Sequence, residues 1–225
     1  MVEKQILEQG FMEFASFIPG SQLSIPHDVL LKACEDSQIH TFGWPIGVVL
    51  HKGEFKPKPY ANGIKATIHV KRGGGDESFD YWNLKRNGDY YLLKSLFEDM
   101  RSKNKLFVDT RIVRITETLL HTVLLYKHLG VQPSEMVNMR IRHGGLKGRE
   151  LSAASPSRYF SLARVSQEDI VISEFSERIG EIEKNIHELV YKAVSDITVM
   201  FDFFKLSKDE VVIPLVNNFM TGRVG

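Results

Sequence analysis

The amino-acid sequence predicts an α+β fold: an antiparallel or mixed sheet with two long helices covering one face and short helices at both ends. Apolar and polar residues alternate in the middle of the chain, as in residues 63–71, and this spacing is typical of a half-buried strand. Residues 109–130 and 178–205 instead repeat apolar side chains at helical spacing. No shift in composition marks a boundary, so the 225 residues are expected to form one domain, with residues 1–20 as a helical N-terminal extension.

Two helices are predicted in the N-terminal part. Residues 2–17 carry apolar side chains mostly at helical spacing, and Pro19 and Gly20 end that segment. Residues 26–37 predict a short helix, for which Ser24 is expected to be the N-cap, with a proline in the first turn.

The following segment is predicted to form strands. In "FGWPIGVVLH", Gly43 and Pro45 break any helix, so residues 46–50 are expected to form a strand. Two aromatic-rich runs, "SFDYWNLKR" and "DYYLLKSLF", are joined by Asn87 and Gly88. This pair predicts a hairpin with a type I′ turn, because both turn residues of that type need positive φ.

The C-terminal half begins with the first long helix, which Asp109 or Thr110 is expected to cap and after which Gly130 provides a suitable C′ residue. The runs "EMVNMRIRH" and "RELSA" predict strands on either side of a glycine-rich loop, and "DIVISEF" predicts a third strand. The second long helix, residues 178–205, is followed by a short helix that Pro214 would bend.

Composition excludes several classes of protein. Lys and Arg number 29 against 28 Asp and Glu, so any attraction to a polyanion must come from local clustering. The one cysteine, Cys34, excludes an internal disulfide and a cysteine-based metal site, and it is expected to be a buried thiol. The N-terminus lacks the pattern of a signal peptide, and no apolar run reaches the roughly 20 residues that span a bilayer. We therefore expect a soluble, cytoplasmic protein without a membrane partner.

The glycine-rich loop "RHGGLKGRE" is the first candidate site. Its basic side chains Arg140, Arg142, Lys147 and Arg149 lie beside His143, and Arg158 and Arg164 follow. Glycines in such a loop allow backbone N–H groups to approach an anion, which suits the phosphate of a nucleotide or of nucleic acid. The loop lacks the spacing of a P-loop, and two adjacent glycines are equally a solution for a turn between strands.

A second candidate is a polar stripe on the first long helix. Arg111, Arg114, Thr118 and His121 recur at helical spacing, opposite much of the apolar stripe. Arginines near the first turn oppose the helix dipole, so each needs a partner. That partner is either an internal carboxylate, for which Glu117 and Asp109 are close enough in sequence, or an external phosphate.

Aromatic residues provide a third candidate. Trp44, between Gly43 and Pro45, could stack on a base or could close the edge of the core. Alternation in the hairpin sends about half of its aromatic side chains outward, so one aromatic face could be a partner surface. These side chains are Tyr81, Trp82, Tyr90 and Tyr91.

Catalytic chemistry is not indicated. The eight histidines show no metal-binding spacing, no GxSxG elbow occurs, and no pair of carboxylates can be assigned as general acid and base. We predict no catalytic residue, no metal and no cofactor.

Five segments together resemble the C-terminal region of bacterial proteins of the Schlafen-AlbA type, which are described as DNA-binding or ATP-binding. They are "FGWPIGVVL", "KPKPYANGIKA", "FDYWNLKRNGDYYLLKSLFED", "DTRIVRITETLLHTVLLYKHLGV" and "IRHGGLKGREL". The resemblance covers residues 22–220 and carries no catalytic signature. It implies an accessory, sensing or assembly domain of a bacterial regulator or antiphage defence protein, without the N-terminal AlbA-like domain to which the binding label belongs.

The leading hypothesis is a non-catalytic interaction or ligand-sensing domain that presents a basic face to a phosphate-bearing ligand or nucleic acid. Two alternatives stay open: an enzyme that processes nucleic acid or nucleotides, and a structural module that forms homo-oligomers or binds a protein partner. The residues expected to bind are Arg140, Arg142, His143, Lys147, Arg149, Arg111, Arg114 and Trp44.

Overall fold

A seven-stranded antiparallel sheet forms the centre of the protein in the computed structural model, which describes residues 9–71, 77–155 and 160–223. The predicted α+β class is confirmed. The strands are β1 (Phe11–Phe17), β2 (Lys58–Tyr60), β3 (Gly63–Lys71), β4 (Glu77–Lys85), β5 (Tyr90–Ser95), β6 (Lys105–Phe107), β7 (Met136–Gly144), β8 (Glu150–Ser152) and β9 (Val171–Arg178). The helices are α1 (His27–Asp36), α2 (Val108–His128), α3 (Ile179–Ile182), α4 (Ile186–Thr198) and α5 (Ile213–Met220).

The order of strands in the sheet is β2-β3-β4-β5-β1-β7-β9, and β6 and β8 form a separate parallel pair. Successive side chains of a strand point to opposite faces, so each strand contributes one set to a helix-covered face and one to an open face. On the helix-covered face, Trp82, Leu92, Phe14 and Ile141 follow one another across four neighbouring strands, and all are buried. This face is the main hydrophobic core.

Helix α2 lies over the covered face and contacts α1, α4 and α5. Every residue from Val108 to Leu119 is buried, including both arginines of the polar stripe. The Tyr126 hydroxyl connects α2 to the sheet through a hydrogen bond to Ser16 Oγ, with 3.1 Å between the oxygens. The predicted polar stripe is therefore internal: Arg111 contacts Glu98, Arg114 contacts the Trp44 carbonyl, and His121 lies against the Tyr90 ring of the sheet.

The prediction of a helix over residues 2–17 is wrong for the residues that the structure describes. Residues 11–17 form β1, a central strand, and residues 1–8 lie outside the described ranges. The β1 strand pairs with β5 on one side and β7 on the other. Pairing with these distant strands decides the conformation, because Met12, Phe14 and Ser16 then all reach the core.

Two predictions around the hairpin are also wrong. Residues 46–50 form an irregular loop, in which the Ile46 and Val49 N–H groups donate to Glu117 and Gln38 side chains instead of a strand. The hairpin β4–β5 exists, but Gly88 has positive φ and Asn87 does not. The turn is a three-residue loop with glycine in the left-handed region rather than type I′.

The predicted ends of the helices need correction. Pro26, not Ser24, precedes α1, and Ser24 Oγ instead accepts a hydrogen bond from Arg86. Helix α2 begins at Val108 after Phe107, so neither Asp109 nor Thr110 is its N-cap, and the Asp109 carboxylate accepts from the Ala154 and Ser155 N–H groups. The last long helix is interrupted between α3 and α4, and α5 carries its proline in the first turn, after a π-helical turn over Lys208–Val212.

Candidate functional site

Strand β7 divides the predicted basic cluster between the two faces of the sheet. Arg140 and Arg142 point to the open face, and His143, one residue further, points to the helix-covered face. His143 is 2% exposed. Burial, with a smaller contribution from nearby Arg111, holds the pKa of His143 well below its usual value. His143 is therefore neutral at pH 7 and cannot contribute positive charge to the cluster.

The two arginines on the open face are accessible and have carboxylate neighbours. Arg142 Nη1 lies 2.9 Å from Glu13 Oε2, and its guanidinium lies over the Phe11 ring at 5.1 Å. Arg140 Nε is 3.6 Å from Glu174 Oε1, and both of these side chains are exposed. An exposed pair of this kind contributes at most about 1 kcal/mol, so Arg140 can exchange its partner at little cost.

Aromatic side chains fill the middle of the open face. Phe11 and Phe79 form a small buried cluster against Tyr81 and Leu93. The rings of Tyr81 and Tyr91 meet edge to face, with 6.0 Å between centroids, and both are half-buried. Burial and the nearby Glu13 carboxylate raise the pKa of Tyr91. Two phenol rings therefore lie at the surface, and Tyr81 packs on the buried pair of Phe11 and Phe79.

Basic side chains border this aromatic strip on both sides. The alternation and register of the strands place the following basic residues on the open face: Lys58, Lys65, Lys71, Lys85, Arg140, Arg142 and Arg178. The carboxylates beside them are Glu13, Glu77 and Glu174 on the same face and Asp89, which pairs with Lys85. Within the described residues, Lys58, Lys65 and Arg178 have no carboxylate partner. The open face is therefore positively charged although the whole chain is nearly neutral.

The glycine-rich loop leads from β7 to β8 and is held by its own arginine. Arg149 Nη2 lies 2.6 Å from Asp99 Oδ1, and Arg149 also donates to the Gly145 and Lys105 carbonyls. The Arg149 side chain is 7% exposed. Gly145 has positive φ, and a Cβ there would lie 2.6 Å from the Gln9 carbonyl oxygen. These contacts favour the interpretation of the loop as a structural connection.

Of the other basic residues near this loop, Lys147 and Arg164 are described by the structure. Lys147 is exposed and makes no ion pair within the part of the chain that the structure describes. Arg164 lies over the Phe204 ring at 4.7 Å, and Arg158 lies outside the described residues.

The arginines of α2 have internal partners. Arg111 forms a two-pronged pair with Glu98 at 2.9 and 3.1 Å, and both side chains are buried. Arg114 Nη1 lies 2.6 Å from Glu117 Oε2, as expected. Arg111 is thus a structural residue on this geometry.

Arg114 and Trp44 lie together, away from the open face. Arg114 Nη1 donates to the Trp44 carbonyl at 2.9 Å, and the guanidinium lies over the Phe42 ring at 4.7 Å. The Trp44 side chain is partly exposed at the mouth of a cavity on the helix-covered side of the sheet. These two predicted residues are therefore close in space, but they are separated from Arg140 and Arg142 by the sheet.

The sequence analysis missed several residues of the open face, above all Lys65 and Arg178. The alternation of side chains along the strand could have identified Lys65. It lies between the inward residues Ile64 and Ala66 and must therefore point outward. The same alternation in β4 and β5 places Asp80 and Lys94 inward, next to Trp82 and Leu92. Such inward charges in an alternating strand are unusual and mark a second candidate site.

Within the described ranges, no cluster of three or more His, Cys, Asp or Glu side chains could hold a metal ion. No helix of the same ranges combines the length and apolar character that crossing a membrane requires. Comparison with known proteins returned no match: no family model, no curated protein and no solved structure is significantly similar to the chain. The resemblance to Schlafen-AlbA-type proteins stays a prediction from the sequence.

Proposed function

We propose that the open face of the sheet binds single-stranded nucleic acid and that the protein is a non-catalytic interaction domain. One observation carries this proposal: an aromatic strip, with Tyr81 and Tyr91 at its surface, lies between two groups of basic side chains on a sheet face that no helix of the described ranges covers. Stacked bases need an aromatic platform, and the phosphates beside them need cations.

The dimensions of the face suit this ligand. Neighbouring strands lie roughly 4.8 Å apart, so the distance from β3, which carries Lys65, to β7, which carries Arg140, is roughly 19 Å. A strand of a few nucleotides can cross that distance with its bases over the tyrosines and its backbone at the basic borders. A duplex hides its base faces inside the stack and could use only the cations.

Charge reversal on the open face tests the proposal. A labelled oligonucleotide about twelve nucleotides long would be titrated by fluorescence anisotropy at about 50 and about 200 mM salt. The test variant is Lys65→Glu with Arg140→Glu. The matched control is Lys184→Glu with Lys192→Glu, which makes the same change of charge at exposed lysines on the helical side.

Wild type and control are expected to bind, with an affinity that falls as salt rises. The open-face variant should bind weakly, with a slope of log K against log salt smaller by roughly 1.4, or about 0.7 for each phosphate that the protein no longer neutralises. Equal losses in both variants, or no binding by wild type at the lower salt, would contradict the proposal. Duplex binding as tight as that of the single strand would contradict the role of stacking.

A further inference from the structure

A cavity of about 290 Å³ lies on the helix-covered side of the sheet, between β3–β5, the loop at residues 42–44 and the second turn of α2. This volume is at the lower end of the range found for small-molecule sites. Its walls are largely apolar and aromatic, and Ser78 and Ser95 also line it. The apolar side chains are Phe42, Trp44, Ile68, Val70, Phe97 and Met100. Such walls suit a flat apolar body smaller than most drugs.

Charged side chains form one end of the cavity. Asp80 and Lys94 face each other across β4 and β5, with 2.6 Å between Oδ1 and Nζ. Both are largely buried, at 4% and 12% exposed side chain, and Arg114, at 8%, completes the group from α2. Their neighbours in the same row of the covered face, Ile68 and Met12, are apolar. Replacing a buried ion pair with apolar side chains of similar volume is often neutral or stabilising, so stability alone does not account for these charges.

Lys94 and Arg114 have N–H groups at this end of the cavity for which the described residues show no acceptor. Lys94 has three N–H groups, and the structure shows one bond, to Asp80. Arg114 uses Nη1 for both of its hydrogen bonds, to the Trp44 carbonyl and to Glu117. Each oxygen of the Glu117 carboxylate already accepts one hydrogen bond, from Arg114 or from the Ile46 N–H group. A ligand group that accepts hydrogen bonds would therefore find donors on Lys94 and Arg114.

The electrostatics agree with an incoming anion. Burial lowers the pKa of the Lys94 ammonium, an effect that Arg114 increases and Asp80 opposes. A ligand carboxylate near Lys94 and Arg114 would offset the cost of burying both cations. It would also form charge-assisted hydrogen bonds, which are the strongest that a site of this size can offer.

We infer that this cavity binds small aromatic carboxylates, with the ring between Trp44 and Phe97 and the carboxylate at Lys94 and Arg114. This function is additional to nucleic-acid binding and does not depend on it, because the cavity and the open face lie on opposite sides of the sheet. A carboxylate is favoured over a bulkier phosphate ester because the volume is small.

Isothermal titration calorimetry with three probes of the same shape tests the inference. The probes are 3-phenylpropionate, its neutral amide and phenethylamine, each at millimolar concentration. Lys94→Met removes the cation but keeps a long side chain. Val70→Phe fills the cavity without altering any charge. It therefore still tests whether the cavity is the binding site if Lys94→Met does not fold. Lys184→Met, at an exposed lysine, is the control.

Wild type and the control are expected to bind the carboxylate at least about tenfold more tightly than the amide or the amine. Lys94→Met should lose about that factor, and Val70→Phe should lose binding altogether while its thermal unfolding remains cooperative. Failure of wild type to bind the carboxylate, equal binding of the amide or amine, or unchanged binding by folded Val70→Phe would each overturn the inference.

Discussion

Arg142 and His143 are adjacent in β7, and their side chains lie on opposite sides of the sheet. Arg142 pairs with Glu13 on the open face, whereas His143 is buried against the helices beside Met12. One step along the strand thus separates a surface that can meet a polyanion from an interior in which His143 is buried and its pKa is lowered. The proposed functions follow this division, with nucleic acid on the open face and a small carboxylate on the covered side.

Loss of a surface tyrosine should weaken nucleic-acid binding. Tyr81→Ala removes one stacking platform and is expected to reduce the binding free energy by about 1–3 kcal/mol, whereas Tyr81→Phe keeps the ring and the affinity. Oligonucleotide titration measures both. Tyr191→Ala, on α4, is the control and should bind as wild type does. Equal affinities of the two Tyr81 variants would show that the ring is not a platform.

The buried pair of Arg111 and Glu98 should be important for stability. Glu98→Gln leaves a buried guanidinium without its counter-charge, so the free energy of unfolding should fall by about 3–5 kcal/mol. Glu98→Gln with Arg111→Met removes both charges and should recover much of that loss. Urea unfolding measures each variant.

An exposed pair provides the comparison for Glu98→Gln. Asp36→Asn breaks the surface pair with Lys32 and should cost little, because the Lys32 ammonium is exposed to water. A cost for Glu98→Gln as small as this would contradict the structural role of Arg111 and reopen it as a binding residue.

His121 should make stability depend on pH. Burial lowers its pKa to about 4 from 6.5, and neither ring nitrogen has a hydrogen-bond partner within the described residues. Between these values the unfolded chain binds a proton that the folded protein excludes, so stability is lost as pH falls. The contribution of this one group is about 1.4 kcal/mol per pH unit.

His121→Phe should remove that contribution while it keeps a ring of similar shape beside Tyr90. Urea unfolding from pH 7 to pH 4 is therefore expected to show a shallower dependence for the variant than for wild type. Parallel curves for the two proteins would show that His121 is not kept neutral by the fold.

Alanine substitutions at two glycines with positive φ, Gly53 and Gly47, should differ in their cost in stability. At Gly53 an added Cβ meets nothing within 4 Å, so Gly53→Ala should cost only the strain of the left-handed conformation, about 1–2 kcal/mol. At Gly47 the Cβ would lie 2.6 Å from the Tyr90 hydroxyl and 2.8 Å from His121 Nε2. Gly47→Ala should therefore cost at least about 1 kcal/mol more, measured by urea unfolding. Equal costs would mean that the loop around Gly47 can move away from Tyr90 and His121 without a loss of stability.

Local periodicity predicted the elements whose partners are close in sequence. The strand at residues 63–71 and the helix up to His128 were predicted from their own residues. Strand β1 was not, because its partners β5 and β7 lie far away in the chain. A strand in the centre of a sheet is decided by such pairing more than by its own spacing.

The residues of the candidate site were likewise predicted where the pattern is local and missed where the partners are distant in the chain. Alternation alone places Arg140 and Arg142 on one face, as expected. The partners that make Arg111 and Arg149 structural, Glu98 and Asp99, come from a short 3₁₀ helix that no sequence pattern connects to them. The basic residues could therefore be identified from the sequence, whereas the buried carboxylates that pair with Arg111 and Arg149 could be identified only from the tertiary structure.

The most direct test of the central claim is to map where an oligonucleotide contacts the protein, by NMR chemical-shift changes in isotope-labelled protein. The account predicts that saturating amounts of the single strand shift the signals of Lys65, Tyr81, Tyr91 and Arg140 and leave Lys184 and Lys192 unchanged. Shifts confined to the loop at residues 145–149 or to the helical side, or no shifts at saturating concentration, would contradict nucleic-acid binding by the open face of the sheet.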